Sequence, residues 1–427
     1  MAAWVEHVIW WHVYPLGFVG AEKELAAAHP EPHRLSRLHG WLDHLVALGC
    51  NGLALGPVFT SATHGYDTTD YLRIDPRLGD EGDFDALVAA CRERGIRVLL
   101  DGVFNHAGRD FPPVRDALAA GSGSEAGRWI RWSEGHPYFF EGHDQLVALD
   151  HGSAQVQDFV AEVLLHWLER GADGWRLDAA YAVPPEFWAA VLPRVRERFP
   201  DAWFVGEMIH GDYRDYAHRS GLDSVTQYEL WKAIWSSLTE RNFWELDWTL
   251  GRHRDVVADL LPLTFLGNHD VTRIATQVAD ERHVPHAVAL LFFLPGVPSI
   301  YYGDEYGLRA SKEDRAGGDD AIRPEMPGVP GEVADADAGT WSVYQRMIGL
   351  RRRHPWLTRA QTSTSGVSNE QLLVHAWSDA DGGRLTLALN LGDVPFALPA
   401  GAGRVLEAGA PVRDGAVAPH SWAVVEG

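Results

Sequence analysis

The sequence has few cysteines, a shortage of basic residues and no long apolar run. Its 427 residues contain only two cysteines, and Cys91 lies on the apolar face of a predicted helix, so a disulfide framework is excluded. Lys and Arg number 37 against 59 Asp and Glu, a formal charge of −22. This balance argues against a nucleic-acid partner and an anionic membrane surface, because both are bound through basic side chains. No run reaches the ~18 apolar residues of a membrane-spanning helix.

The amino terminus also lacks the basic start and small-residue cleavage site of a secretory signal peptide. Residues 1–7 lead directly into a predicted strand at 8–14. We therefore expect a cytoplasmic protein. Tryptophan is abundant, with 18 residues. Such rings mostly fill a core, although an excess also suits stacking on sugar faces.

Short apolar runs alternate with amphipathic helical patterns, which is typical of parallel strands joined by crossover helices. A helix is predicted at 35–48; Asp83 is expected to cap the next helix, and Ser153 a later one. The predicted strands are 8–14, 51–55, 96–103, 174–178, 203–207, 222–226, 263–267 and 297–302. Eight strand–helix units predict an α/β fold, a closed (β/α)8 TIM barrel.

Two segments interrupt this pattern. The aromatic-rich and glycine-rich run at 105–152 is too long for a barrel loop and is predicted to be a small inserted domain after strand three. The catalytic barrel then comprises 1–104 and 153–357. From 358 to 427 the alternation indicates antiparallel strands, which predicts a C-terminal β-sandwich-like domain.

Charged side chains follow several of the predicted barrel strands. Asp178 ends strand four, Glu207 ends strand five and Asp270 follows strand seven. Because barrel enzymes place catalytic groups at the carboxyl ends of strands, these three carboxylates are expected to converge. Each alone is more often a turn or cap residue, but their joint occurrence favours catalysis.

Two opposed carboxylates are what the hydrolysis of a glycosidic bond requires. Arg176, two residues before Asp178, lies on the same side of the strand and would keep that carboxylate ionised. This spacing predicts Asp178 as nucleophile and Glu207 as acid/base, with burial and nearby negative charge raising the pKa of the acid. Asp270 is left to stabilise the cationic transition state.

A metal-dependent hydrolase is the weaker interpretation of the same barrel. Histidines are available for such a site, namely His64, His106, His210 and His269. None forms a tight local ligand motif. No cofactor is therefore predicted.

In combination, the motifs resemble the α-amylase family, glycoside hydrolase family 13. The four motifs at 101–106, 174–178, 205–207 and 265–270 look like its four best-known regions, in the same order. The stretches 64–71 and 295–305 are similar to two more. The likeness covers nearly the whole chain and implies a retaining mechanism with a covalent glycosyl–Asp178 intermediate, in which Glu207 is the acid/base.

The resemblance also implies roles for other residues. Asp270 would bind the 2- and 3-hydroxyls of the sugar, and Tyr66 would stack beneath the ring. The same subsite would be lined by His106, Arg176 and His269. Asp320 and Arg323 look like a pair that many relatives place on the non-reducing side, although an Asp-x-x-Arg step on a loop is commonly a solvated ion pair.

The motifs are most similar to the neopullulanase and cyclomaltodextrinase group, whose members act on short linear or cyclic dextrins and sometimes on α-1,6 links. That group usually carries an N-terminal β-domain used in dimerisation, whereas the predicted barrel here starts near residue 8, so oligomeric state is left open. The stretch 179–182 lacks the acidic residue common in that group. Asn105 occupies a calcium-ligand position of many amylases, and we expect it to brace its loop by hydrogen bonds instead.

The predicted function is hydrolysis of α-1,4 bonds in small linear or cyclic maltooligosaccharides, with α-1,6 bonds as a further candidate. A transglucosidase or sugar isomerase, similar to trehalose synthase, uses the same intermediate and differs in whether water or a sugar takes it. The tryptophans at 129 and 132 fit either a sugar acceptor site or packing of the inserted domain.

Overall fold

Eight parallel strands form one sheet in the computed structural model, which describes residues 2–25, 33–315, 317–334 and 336–427. The strands are β1 (Trp10–Val13), β2 (Gly52–Leu55), β3 (Arg97–Gly102), β4 (Gly174–Leu177), β5 (Trp203–Gly206), β6 (Ser224–Val225), β7 (Leu263–Phe265) and β8 (Val297–Tyr301). Their order in the sheet is β6-β5-β4-β3-β2-β1-β8-β7. A parallel bridge from Thr226 to Leu263 joins the two outer strands. The predicted (β/α)8 barrel is therefore confirmed.

Helices connect successive strands on the outside of the sheet. The α-helices are Pro15–Phe18, Leu42–Leu48, Glu81–Glu93, Pro112–Ala120, Ala154–Glu169, Pro185–Arg196, Tyr213–Ser220, Tyr228–Glu240, Trp244–Asp259, Ile274–Gln277, Val284–Phe293 and Ala338–Arg353. The 3₁₀ helices are Ala3–His7, Arg34–Trp41, Ala126–Trp129, Phe140–Gly142, Ala180–Ala182, Glu281–His283, Asp304–Tyr306, Asp320–Ile322, Pro330–Glu332 and Pro355–Arg359. The predicted helix at 35–48 is thus a 3₁₀ segment followed by an α-helix, not one continuous α-helix.

The sequence predicted Asp83 as the N-cap of the helix Glu81–Glu93. The structure shows that this residue is Asp80. The two aspartates form a reciprocal capping box: Asp83 N–H donates to Asp80 Oδ1 at 3.0 Å, and Asp80 N–H donates to Asp83 Oδ2 at 2.9 Å. Asp83 therefore caps from inside the first turn. Ser153 does occupy the N-cap position of Ala154–Glu169, but its side chain makes no capping hydrogen bond.

Tryptophan fills the core of this barrel. The ring of Trp10 stacks on that of Trp203 at 5.8 Å, and the ring of Trp11 on that of Trp41 at the same separation. Eight tryptophans rank among the largest fully buried side chains, namely Trp10, Trp11, Trp41, Trp167, Trp175, Trp188, Trp203 and Trp422. Much of the tryptophan excess therefore serves packing.

Shorter strands build the remaining parts. The segment after β3 contains the antiparallel pair His106–Gly108 with Leu146–Ala148 and the hairpin Trp132–Ser133 with His136–Pro137. Phe59–Ser61 pairs with Thr68–Ile74 after β2. The C-terminal sheet contains β9 (Gln361–Ser365), β10 (Gln371–Ser378), β11 (Gly383–Asn390), β12 (Val405–Ala408) and β13 (Ser421–Glu426), with Phe396–Ala397 and Ala416–Val417 paired beside it.

The C-terminal sheet has the order β9-β10-β11-β13-β12, and every neighbouring pair is antiparallel. An antiparallel C-terminal β region is therefore confirmed. Within the described ranges, no helix is both long and apolar enough to cross a membrane.

Candidate active site

The carboxyl ends of β4, β5 and β7 open into one cleft of about 810 Å³. Among its lining residues are Tyr66, His106, Asp178, Glu207, Asp270 and Arg323, all predicted from the sequence. Arg176 and His269 lie beneath it, where they line a cavity of about 30 Å³ inside the barrel. The structure therefore brings together the three carboxylates and most of their predicted partners.

Arg176 bridges carboxylates from three neighbouring strands. Its Nη1 donates to both oxygens of Asp101, at 2.7 and 2.6 Å, and to Asp178 Oδ1 at 3.2 Å. Its Nη2 lies 2.6 Å from Glu207 Oε1. The guanidinium was expected to favour an ionised Asp178, but its shorter contacts are to Asp101 and Glu207. This distribution follows from the parallel register, which places Arg176 beside Asp101.

Glu207 is held by two further donors. Ala179 N–H donates to Oε2 at 2.9 Å, and the hydroxyl of Tyr228 donates to Oε1 at 3.1 Å. Ala179 has φ 45°, a left-handed conformation that is uncommon for a residue with a Cβ, and its amide faces the carboxylate. Asn268 in turn donates to Tyr228 at 2.8 Å. The sequence analysis missed Tyr228, although it closely follows β6 and so lies at the same barrel rim.

Burial and mutual repulsion govern the charge state of Asp178. Burial, followed by the negative charge of Glu207, raises the pKa of Asp178 well above its ordinary value, and Arg176 opposes this shift. Burial and the charge of Glu207 therefore oppose ionisation of Asp178, whereas the sequence suggested only the opposite effect of Arg176.

Asp270 has the opposite environment. His269 Nε2 donates to its Oδ2 at 2.8 Å, and Arg323 Nη2 donates to its Oδ1 at 2.9 Å. Although burial opposes them, His269 and Arg323 hold the pKa of Asp270 well below its ordinary value. The imidazole of His269 is itself sandwiched between the rings of Tyr14 and Tyr66, with centroids 6.0 and 5.1 Å away. Asp270 is therefore a fixed negative charge in the cleft.

Asp320 is not at the position predicted for it. Its side chain is 53% exposed and contacts Lys23 outside the cleft. Arg323 instead bonds Asp319 Oδ2 at 3.1 Å and the carbonyl of His269 at 2.8 Å. Asp320 begins the 3₁₀ turn Asp320–Ile322, and the residue before it, Asp319, faces the guanidinium. The structure therefore pairs Arg323 with Asp319, whereas the sequence had suggested a pair of Arg323 with the next residue, Asp320.

His106 is a neutral imidazole with both nitrogens engaged. Its Nε2 donates to the carbonyl of Tyr66 at 3.0 Å, and its Nδ1 lies 3.1 Å from the side-chain amide nitrogen of Asn105. Burial lowers the pKa of His106 to about 3. Asn105 thus braces its loop through a hydrogen bond to His106. The ring of Phe140 stacks on His106 at 4.7 Å and so extends the cleft wall.

The other side of the cleft, beyond Glu207, is built from Phe140, Glu141 and Tyr181. The hydroxyl of Tyr181 donates to Glu141 Oε1 at 3.3 Å, and His210 packs against the Tyr181 ring at 5.0 Å. The stretch 140–150 was noted from the sequence only for its similarity to the neopullulanase and cyclomaltodextrinase group, and neither Phe140 nor Glu141 was predicted as a site residue.

The two tryptophans of the inserted segment lie elsewhere. Trp129 packs against Phe111 and Phe159, and Trp132 donates to the carbonyl of Gly127. They serve packing, which decides between the two roles that the sequence had left open. His64, His106, His210 and His269 form no metal-ligand cluster among the described residues.

Two family models match this sequence, and together they cover most of the barrel and the C-terminal sheet. The model of the alpha amylase catalytic domain matches residues 35–137 and 123–373, and that of the domain of unknown function DUF3459 matches 362–425. The chain belongs to the alpha-amylase family. Membership of this family, together with the similarity to the relatives described next, identifies the chain as a glycoside hydrolase.

Members of the alpha-amylase family similar to this chain include a cyclomaltodextrinase from Bacillus sp., which is 32% identical over an alignment of 383 residues. That alignment covers 82% of this chain and 67% of the relative. Neopullulanase 2 of Thermoactinomyces vulgaris is 32% identical over 74% of this chain and 55% of its own length. The crystal structure of an acarbose-soaked debranching enzyme from Nostoc punctiforme superimposes with a TM-score of 0.82 at 26% identity, covering 100% of this chain and 99% of that one. The chain thus spans from about half to two thirds of the two curated relatives.

Proposed function

We propose that the protein hydrolyses α-1,4-glucosidic bonds in short linear or cyclic maltooligosaccharides with retention of anomeric configuration, and that α-1,6 bonds are a further substrate. The observation that carries this proposal is the pair of buried carboxyls, Asp178 and Glu207, bridged by Arg176 at the floor of one cleft. The names of the relatives, cyclomaltodextrinase and neopullulanase, support this substrate class.

In the first step, a carboxylate oxygen of Asp178 attacks the anomeric carbon while Glu207 transfers a proton to the glycosidic oxygen, which leaves as an alcohol. In the second step, Glu207 takes a proton from water, the water oxygen bonds the anomeric carbon, and Asp178 is released. Glu207 must therefore carry a proton at the start, and Asp178 must be ionised.

The remaining groups bind and stabilise the sugar. Asp270 is negatively charged and lies in the same cleft, so it serves to stabilise positive charge on the ring and to accept hydrogen bonds from hydroxyls. Tyr66, held parallel to His269, presents an apolar ring face for stacking. Arg323 fixes the carboxylate of Asp270.

A second candidate is transfer of the glycosyl group to a sugar instead of water. It is favoured by the aromatic side chains Phe140 and Tyr181, which line the same cleft as Glu207 and offer ring faces to an acceptor. The chemistry of the first step is identical, so the two candidates differ only in their products.

The test is a proton-NMR time course of the protein with maltose, maltotetraose, panose, trehalose, sucrose and cyclic maltodextrins. Retaining hydrolysis predicts the loss of α-1,4 or α-1,6 signals with α-anomeric reducing ends appearing first. New glycosidic signals without reducing ends would instead establish transfer or isomerisation. Initial β-anomers would contradict the retaining mechanism.

A further inference from the structure

Two histidines and an aspartate meet outside the cleft, where the barrel contacts the C-terminal sheet. Asp280 and His283 flank the 3₁₀ turn that leads into helix Val284–Phe293, and His420 immediately precedes β13. His283 Nε2 lies 3.0 Å from His420 Nδ1 and 4.0 Å from Asp280 Oδ2. All three atoms lie within 4.8 Å of one another. Two separate parts of the chain thus present nitrogen and oxygen donors to one place.

The hydrogen bonding of His420 fixes which of its nitrogens carries the proton. Its Nε2 lies 2.8 Å from Asp393 Oδ1, and a carboxylate accepts, so Nε2 carries the hydrogen. In the neutral ring, Nδ1 then presents its lone pair to His283. A carboxylate behind a histidine is the usual arrangement that orients a metal-ligating imidazole.

His283 is fully buried, and its other ring nitrogen, Nδ1, has no hydrogen-bond partner among the described residues. If Nδ1 carries the hydrogen, the lone pairs of His283 Nε2 and His420 Nδ1 face each other across 3.0 Å. In this tautomer, a metal ion bound by both nitrogens would satisfy their two lone pairs, whereas in the other tautomer the Nε2–H of His283 donates to His420.

We propose that Asp280, His283 and His420 form a binding site for a divalent transition metal ion, for which Zn²⁺ is the best fit. Two imidazoles and one carboxylate are ligands that zinc accepts, whereas calcium and magnesium prefer oxygen alone. Neighbouring donors in a tetrahedral zinc site are about 3.4 Å apart, and the separations of 3.0 and 4.0 Å lie on either side of that value.

The site connects two parts of the fold and is separate from catalysis. Asp280 keeps 30% of its side chain exposed, so solvent has access to a further coordination position. Arg282 donates to both oxygens of Asp280, but each carboxylate oxygen has a second lone pair for a metal. A bound ion would therefore join the segment after β7 to the turn before β13 and stabilise their contact.

The other cluster of this kind among the described residues is a poorer candidate. It contains His33, Asp80 and Asp83, and both carboxylates there already accept backbone hydrogen bonds in the capping box of helix Glu81–Glu93. Asp80 and Asp83 are therefore committed to the helix end. The cluster of Asp280, His283 and His420 is therefore the one to test.

The test is isothermal titration of the full chain with ZnCl₂ after EDTA treatment and dialysis, together with thermal unfolding. We expect one zinc ion per chain and a rise in Tm of about 2–5 °C at a hundredfold excess of zinc over its Kd. His283→Gln and His420→Gln should abolish both effects. Asp393→Asn should weaken binding by about 10–100-fold, because it removes only the orienting carboxylate.

His218→Gln is the matched control, since His218 lies 3.5 Å from Asp259 but belongs to no cluster of three possible ligands among the described residues. It should bind zinc as the parent does. Asp280→Asn and Asp393→Asn change exposed or partly exposed groups, so they test the site even if a histidine variant fails to fold. Equal zinc binding in the parent and every variant, or none in the parent, would overturn the proposal.

Discussion

Arg176 Nη2 lies 2.6 Å from Glu207 Oε1, whereas Arg176 Nη1 is 3.2 Å from Asp178 Oδ1. One guanidinium therefore stabilises negative charge on both carboxyls and more closely on Glu207. Because the two groups compete for this charge, the proton that catalysis needs on Glu207 is not set by Arg176 alone. The position of that proton makes the pH dependence of the reaction informative.

The raised pKa of Asp178 predicts at which pH the activity is lost on the acid side of the pH profile. Asp178 must be ionised to attack, and it loses its charge as the pH falls through its raised pKa. The profile of kcat/KM, which reports the free enzyme, should therefore fall on the acid side at a pH above the ordinary aspartate value of 3.8. Circular dichroism at each pH checks that the protein is folded. An acid limb at or below 3.8 would contradict the burial argument.

Tyr228 is predicted to position Glu207. Tyr228→Phe removes the hydroxyl that donates to Glu207 Oε1 at 3.1 Å and accepts from Asn268. Loss of a hydrogen bond to a charged group should lower kcat/KM by about 10–100-fold and shift the pH profile. Tyr213→Phe is the control, because that hydroxyl donates to the carbonyl of Ile209 at 3.4 Å and Tyr213 is not among the residues that line the cleft. Equal kcat/KM values of the two variants would contradict a positioning role for Tyr228.

Arg323 and Asp320 should differ sharply although both were predicted from one motif. Arg323 is 11% exposed and bonds Asp270, so Arg323→Ala should reduce kcat/KM by about 10–100-fold. Asp320 is 53% exposed and contacts Lys23, so Asp320→Ala should change it by less than about twofold. Steady-state kinetics on maltotetraose decides between them. A similar loss of kcat/KM in both variants would show that Asp320 contributes to the substrate site.

Buried neutral histidines predict acid destabilisation. Burial lowers the pKa of His253 from 6.5 to about 4. Since the unfolded chain binds this proton first, the free energy of unfolding decreases as the pH falls from 6.5 to about 4. His253→Gln should reduce that slope by about 1.4 kcal/mol per pH unit, measured by urea unfolding. An unaltered slope in His253→Gln would show that His253 is charged in the fold.

The strand positions and the three carboxylates could be predicted because they depend on local patterns. Apolar runs define β1 to β8, and parallel register then places Asp178, Glu207 and Asp270 at one rim. The capping of Glu81–Glu93 by Asp80 was missed because Asp80 and Asp83 both fit the pattern, and only backbone geometry separates them. The same ambiguity explains the shift from Asp320 to Asp319.

Contacts between distant segments could not be predicted in this way. The hydrogen bond from Tyr228 to Glu207 joins the helix that follows β6 to the residue that follows β5, and the Phe140 ring contacts His106 from the inserted segment. The sharing of Arg176 among three carboxylates depends on side-chain distances that no spacing encodes. These features set the charge state of the cleft, so the electrostatics of catalysis required the structure.

The central claim is that Asp178 forms the covalent bond to the sugar, and one measurement tests it most directly. Glu207→Gln is incubated with α-maltosyl fluoride, whose leaving group needs no acid, and the digested protein is examined by peptide mass spectrometry. The account predicts a maltosyl adduct on the peptide containing Asp178, and none in the double variant Asp178→Asn/Glu207→Gln. An adduct on a peptide containing Asp270 or Asp101, or fluoride release giving only β-maltose without any adduct, would contradict it.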